Sequence, residues 1–445
     1  MAEVAGIRFS ADGSRRTTVS AVTTSPRTGD RSSTDDGDAG RSRWLVLGAV
    51  SAVYAAFGFV VAVTAALVTP ISTDLGLSSA QMGLVLGAWQ FSYIGMSIPA
   101  GRVVDRFGAR FALTVAGLVI MVSALGRAVA TGFPTLLGAA AVLGVGAPLV
   151  SVGAPAVAAS LFSGKDRRRA VAMYSTAPST GTMLGLFLPG SVLGPLLGDN
   201  WRLAALSAAL VAALAVAAWI PASANLDRTM TPGTGPALAD YVAIAGQPVV
   251  RIILVLAALT FFVMHGTGQW MVAIIESSGR PPAQAGRWAT LAAAVVLTVS
   301  VVVPQLASPR RRRLMLIGAA LTGSLAVHGL TATQPLVLLP SILAVGWARA
   351  GLVPLFMLIL MDDPDVGPAR MAAASSLFFT VAQLGGVSGP VVTGLLADAS
   401  GDPPVFTTAL VVHSMVLLSL AATVAFGIPR PAAQRLSGRL ALSDD

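Results

Sequence analysis

Cysteine is absent from the 445 residues, so neither a disulfide nor thiolate chemistry is available. Charge is scarce: Asp, Glu, Lys and Arg make up 11% of the chain, against about 25% in a soluble domain. Apolar residues reach 55%, and a chain so composed cannot cover a water-facing surface. The bilayer is its solvent. Histidine occurs three times; no set of metal ligands and no nucleophile–base pair stands out, so neither an enzyme nor a bound cofactor or metal is expected. The nucleotide-cradling pattern Gly-x-x-x-x-Gly-Lys-Ser/Thr is missing too. Any work done by such a chain would draw its energy from gradients or exchange. The net charge of +9 sits in short loops instead of one contiguous patch, which argues against a nucleic-acid partner.

What is there is a succession of apolar runs. Residues Met1–Arg43 are polar, rich in Ser, Thr, Asp, Gly and Arg, and hold no apolar stretch fit for the core of a signal peptide. They read as a disordered cytoplasmic tail. From Trp44 the runs fall at 44–68, 81–100, 111–131, 133–162, 169–195, 201–220, 249–275, 286–306, 314–332, 336–361, 371–397 and 405–427. A spanning helix uses about 20 residues at ~1.5 Å rise each, and about 33 residues are available per run. The loops therefore average about a dozen residues, too short for a soluble domain of roughly 100. This predicts an all-α membrane protein of twelve transmembrane helices.

Basic residues set the orientation. With the amino-terminal tail inside, 24 of the 29 Lys and Arg fall on the cytoplasmic side. Four (Arg127, Arg202, Arg280 and Arg287) count as external, and Arg349 lies within a run. Both termini are expected in the cytoplasm of a multi-pass protein of the plasma or inner membrane. The Pro- and Gly-containing stretch 221–248 reads as a cytoplasmic linker between a first bundle, 44–220, and a second, 249–428, with 429–445 as a cytoplasmic tail.

The loop after the second run reads Gly101-Arg-Val-Val-Asp105-Arg106-Phe-Gly108-Ala-Arg110. It resembles the Gly-x-x-x-Asp-Arg/Lys-x-Gly-Arg/Lys-Arg/Lys loop of the major facilitator superfamily at the same place in the chain. Gly101, Asp105, Arg106, Gly108 and Arg110 match, and Ala109 replaces one basic residue. The stretches 75–83, 161–170 with Trp201-Arg202, and 385–394 look like the family's corresponding segments, so the resemblance covers about residues 44–428. It implies two pseudo-symmetric six-helix bundles with substrate held at the midplane between them, and a gate in which Asp105 pairs with neighbouring arginines. The echo of this loop in the second half, Pro309 to Arg313, lacks its glycine and aspartate. Gly181, Gly190, Gly194, Pro195 and Gly198 resemble the glycine pattern of drug/proton antiporters. The run Leu143 to Pro148 looks more like the cyanate/nitrate-permease relatives.

Within the runs, acidic residues are confined to ends and loops. Arg349 is the exception among charges, about 18–20 Å along its helix from either end, too deep to snorkel. A guanidinium at that depth costs about 2.5–3.5 kcal/mol on insertion scales, and is expected to line a wet cavity and meet an anion. His265 and Gln269 share one helix face, with two glycines between them, and His265 is the best-placed group to titrate near neutrality. Gln90, Gln383, Tyr54 and Tyr93 are expected to complete the pocket. His328 and His413 read as structural. Together these residues point to a carrier of a small, anionic organic solute working by alternating access, as a monomer, with a proton or an exchange anion as coupling partner. The competing reading is an efflux pump for amphipathic drugs or metabolites.

Overall fold

The computed structural model describes residues 33–198, 200–226, 238–363, 366–401 and 403–427. The chain separates into Met1–Ser42 and Arg43–Asp445. In the first unit the described residues, from 33, are helical. Once a nucleus exists, adding a helical residue costs little. Residues 1–32 and the tail expected over 429–445 lie outside the described residues.

From Ser42 onward the chain is built of helices in sequence: α1 Ser42–Ala66, α2 Val68–Leu75, α3 Ser79–Ala128, α4 Phe133–Leu161, α5 Gly164–Leu197 and α6 Trp201–Ala222. Then follow α7 Leu238–Ala245, α8 Pro248–Gln269, α9 Met271–Glu276, α10 Pro282–Leu306, α11 Arg312–Thr331, α12 Pro335–Met361, α13 Gly367–Asp398 and α14 Thr407–Gly427. Eleven of these are long and apolar enough to cross a membrane, counting only the described residues.

The twelfth crossing is hidden in α3. Its 50 residues would measure about 75 Å if straight, against a hydrocarbon core of about 30 Å. The helix breaks at Gly108, where φ is 82° and ψ 160°, a conformation open to glycine and disfavoured for side chains. The chain therefore crosses twice, before and after the Gly101–Arg110 loop, as the runs 81–100 and 111–131 predict. The seventh crossing is also interrupted. The expected run 249–275 is divided between α8 and α9 at Trp270 (φ −96°, ψ 1°).

Two large apolar cores result, with a small third one at Leu47, Ala158, Phe162 and Ala170. One gathers first-half residues from Val46 to Trp219, and the indole N–H of Trp219 donates to Thr114 Oγ1 at 3.1 Å, tying α6 to α3. The other is mainly second-half residues from Ile244 to Val424, and it also takes in first-half residues, Met82, Val85, Leu86 and Leu186 among them. Outward-facing Leu325, Leu336 and Phe426 leave 79, 85 and 91% of their surface uncovered by protein, as helices solvated by lipid require. Within the expected linker, 238–245 is helical, and 227–237 lies outside the described residues.

Candidate functional site

The halves meet at the end of the bundle away from the Gly101–Arg110 loop. There α3 and α13 run backbone to backbone. A Cβ at Gly83 would fall 2.6 Å from Pro390 O, and one at Gly394 would overlap Ser79 O. The carboxylate of Asp398, at the end of α13, accepts the N–H groups of Ser79 (2.7 Å) and Ala80 (2.8 Å) in the first turn of α3. Those are donors that no intrahelical carbonyl can satisfy, and an anion there is favoured by the helix dipole. A second cross-link joins Thr69 Oγ1 to Glu276 Oε2 at 2.5 Å. Burial raises the Glu276 carboxyl above its usual range, and the Thr69 hydroxyl opposes that shift. Within the first half, Arg202 and Trp201 clasp Asp74, and these donors hold its carboxyl below its usual range.

Deeper in the bundle, a cavity of about 260 Å³ is lined by α1 (Val61, Ala62, Ala65), α5 (Ser179, Thr182, Leu186), α8 (His265, Gly268, Gln269), α10 (Ala289, Ala293, Val296) and Arg349 of α12. Both halves contribute. Three of the residues singled out in the sequence therefore share one chamber. Gln269 Nε2 donates to His265 Nδ1 at 3.3 Å, across the i, i+4 spacing of the helix. That bond leaves the histidine proton on Nε2, a buried atom with no partner among the described residues. The ring of Trp89 stands edge-on to His265 at 5.7 Å and that of Phe261 lies at 5.4 Å.

Two guanidiniums lie deep in the protein, and they differ. Arg127, counted in the sequence as an external residue, is in fact within α3 and 5% exposed. It donates to Val60 O and to Thr64 Oγ1, each at 3.1 Å. Its Nε, like that of Arg349, is buried without a partner among the described residues. The Arg349 guanidinium, by contrast, rests on the backbone of Gly268 and makes no hydrogen bond or ion pair with any described residue; its Nε is buried without a partner. Leaving a buried donor unmatched costs about 1–3 kcal/mol, more for a charged group.

The other predicted residues are distributed as follows. Gln90 (fully buried) and Gln383 (6% exposed) meet His265 at Gly386 instead of lining the chamber. Tyr54 and Tyr93 do not line it either. Tyr54 bonds Ser151 Oγ at 3.2 Å, and Tyr93 packs with Tyr54 against the first-half core. The partner of Tyr54 is on α4, where no periodicity could reveal it. In the loop motif, Gly108 supplies the bend, Arg110 donates to Ala224 O at 3.4 Å and Arg106 stacks on Phe107 at 5.3 Å. The expected Asp105–arginine pair is not formed: Asp105 is exposed and pairs with no described cation within 4 Å. Gly101 is half-buried with open space about its Cα.

His413 is structural as expected, its Nδ1 donating to Ala409 O at 2.7 Å. His328 is exposed in the last turn of α11, and Trp347 packs on the second-half core. Sequence reading missed Gly268 as the seat of the guanidinium and the Asp398 latch. The only signal for the first was the glycine pair around His265. No group of three or more His, Asp or Glu that could hold a metal occurs among the described residues.

The Major Facilitator Superfamily profile matches residues 48–390. The chain belongs to this superfamily. Its members are transporters and not enzymes. Among its relatives are a D-xylose transporter of Levilactobacillus brevis, 29% identical over 35% of this chain and 34% of that one, and a hexuronate transporter of Bacillus subtilis, 30% identical over 29% and 28%. A puromycin resistance protein of Streptomyces alboniger is 30% identical over 42% and 40%. This chain thus spans well under half the length of the curated relatives it matches. The solved nucleoside transporter NupG superposes with a TM-score of 0.70 over 86% of this chain and 98% of that one, at 12% identity. An inward-facing bacterial homologue of the human lysosomal transporter Spinster gives 0.67 over 86% and 94%, at 18% identity. These likenesses establish the superfamily fold.

Proposed function

We propose that the protein is a secondary carrier that moves a small, anionic organic solute across the cell membrane by alternating access. The observation that carries this reading is the contrast between the two guanidiniums. Arg127 is held by two hydrogen bonds from its Nη1 to α1, although its Nε is unpaired like that of Arg349, whereas Arg349 makes no hydrogen bond with any described residue and stands over a chamber to which both halves contribute. A carboxylate matches the guanidinium fork with two parallel hydrogen bonds, and His265 and Gln269 lie in the same wall to orient it. The hexuronate transporter among the relatives is named for a substrate class of that charge.

The basic bias puts the Gly101–Arg110 loop inside, so the Asp398 and Glu276 contacts are external and the form described is closed to the outside. Alternating access then requires those contacts to part as the Asp105 side closes. A proton or a second anion would supply coupling, and a monomer suffices for the site. The twelve crossings are divided at the 221–248 linker into bundles 44–220 and 249–428.

The test is a thermal-shift screen of purified protein against mono- and dicarboxylates, inorganic oxyanions and cationic dyes. Carboxylates are expected to raise the midpoint of the wild type and to have no effect on Arg349→Gln. Undiminished stabilisation in that variant would end the reading. A second reading, efflux of amphipathic compounds, is favoured by the puromycin resistance relative; stabilisation by the dyes alone would select it.

A further inference from the structure

The walls of the Arg349 chamber define the part of the solute that carries no charge. Arg349 is the one arginine among the fifteen described residues that line it, and no lysine, aspartate or glutamate is among them. One guanidinium fork matches one carboxylate. A second carboxylate would lie in a buried wall without a cation, and an ammonium would lie there without an anion. Either is a charge that burial makes costly. The chamber therefore selects against dicarboxylates and amino acids.

Nine of the fifteen lining residues are Ala, Val, Leu or Met, and they come from both halves. Val61, Ala62 and Ala65 form the α1 side. On α10, Ala289, Ala293 and Val296 recur at i, i+4 and i+7, which places them on one helix face. Polar groups beside these walls already have partners within the protein. The Thr182 hydroxyl donates to Gly58 O at 3.4 Å, and Gln269 donates to His265. Solute hydroxyls would give up water there and meet methyl groups. A hydrocarbon body gains instead, by about fourfold in affinity for each methylene that leaves water. Met264 and Met271 lend the walls side chains that adapt to branches or rings. A volume of about 260 Å³ equals that of roughly nine waters at about 30 Å³ each, which suits a solute of about eight to ten non-hydrogen atoms.

We propose that the solute is a monocarboxylate with a compact hydrocarbon body of about five to seven carbons, its carboxylate on Arg349 and its body against the alanine and valine walls of α1 and α10. This deepens the anion reading above and rests on it.

The experiment measures binding to the purified full-length protein by titration calorimetry. The probes are hexanoate and three acids of the same carbon number: adipate (a second carboxylate), 6-aminohexanoate (an ammonium) and gluconate (hydroxyls along its length). Propionate supplies the carboxylate with a short body. Hexanoate is expected to bind at least about tenfold more tightly than adipate, 6-aminohexanoate or gluconate, and to gain about fourfold per methylene over propionate. Arg349→Gln is expected to remove hexanoate binding. Ala293→Leu narrows the chamber and is expected to weaken hexanoate at least about tenfold more than propionate. A purely structural disturbance would weaken both alike. If that variant does not fold, Met264→Gln keeps the side-chain length, makes the wall polar and reads the same ratio.

Adipate, 6-aminohexanoate, gluconate or propionate bound as tightly as hexanoate overturns the proposal, as does a wall variant that weakens hexanoate and propionate equally. Where the binding in those cases still depends on Arg349, the anion reading stands. If none of these acids binds, or if hexanoate binding survives Arg349→Gln, both readings fall.

Discussion

Arg349 and Gly268 are in contact through a missing side chain: a Cβ on Gly268 would overlap Nη2 of the guanidinium and fall 2.8 Å from its Cζ. One residue on α12 is therefore positioned by the absence of a methyl group on α8. The helix that offers His265 and Gln269 is thus also the seat of the charge.

Gly268→Ala is accordingly expected to displace the guanidinium without altering the net charge. Carboxylate affinity in the thermal-shift assay should fall by about tenfold or more, equivalent to roughly 1.4 kcal/mol. Expression and folded yield should hold, since alanine is the better helix former. Unchanged affinity would mean that the position of Arg349 over Gly268 is irrelevant to binding.

Access from outside should depend on the Asp398 latch. Asp398→Ala deletes the acceptor for the Ser79 and Ala80 N–H groups, leaving the close approach of α3 and α13 with less to hold it. The chain has no cysteine of its own, so Ala273→Cys, buried in this form (7% exposed) and lining the vestibule of about 700 Å³ that also contains Glu276 and Asp398, reports accessibility without background. Maleimide labelling from outside should rise several-fold when Asp398→Ala is added. Equal rates would show that the latch does not hold that end shut.

Glu276 gives the pH dependence. Its carboxyl is raised in the closed form, chiefly by burial, and would return toward the ordinary range near 4.3 once that end opens to water. Closing therefore takes up a proton between those two values. Acidification through that window favours the closed form, and above it the ionised carboxylate bears a desolvation cost that favours opening. The charged groups lining the same vestibule are Glu276 and Asp398, both acids, with no described cation beside them. Labelling of Ala273→Cys should thus slow as pH falls toward the ordinary glutamate range near 4.3. In Glu276→Gln it should be slow throughout and lose that part of its pH dependence. A full pH response in the glutamine variant would assign the effect elsewhere.

Much of this was legible along the chain. The twelve crossings were visible as apolar runs because lipid permits only a segment that satisfies its own backbone. The bend at Gly108 was marked by a glycine within a basic loop. Arg349 was conspicuous because a lone charge in an apolar run is costly. His265 and Gln269 could be paired because i, i+4 neighbours share a helix face. Arg127 was counted as external although it lies within the run 111–131, and only the packing of α3 on α1 turned it inward to Val60 and Thr64.

The linear order of residues thus determined the solvent, the number of helices, the bend in the second loop and the presence of one deep guanidinium, all of which follow from local composition and helix geometry. The fold alone decided which polar groups meet. It brought Gln90 and Gln383, from opposite halves of the chain, to His265, set Asp398 on the first turn of α3, sent Tyr54 to Ser151, and left Asp105 unpaired. The reason is physical: the azimuth of a helix and the depth at which two helices cross depend on side chains of every neighbour at once, and no single segment carries that information.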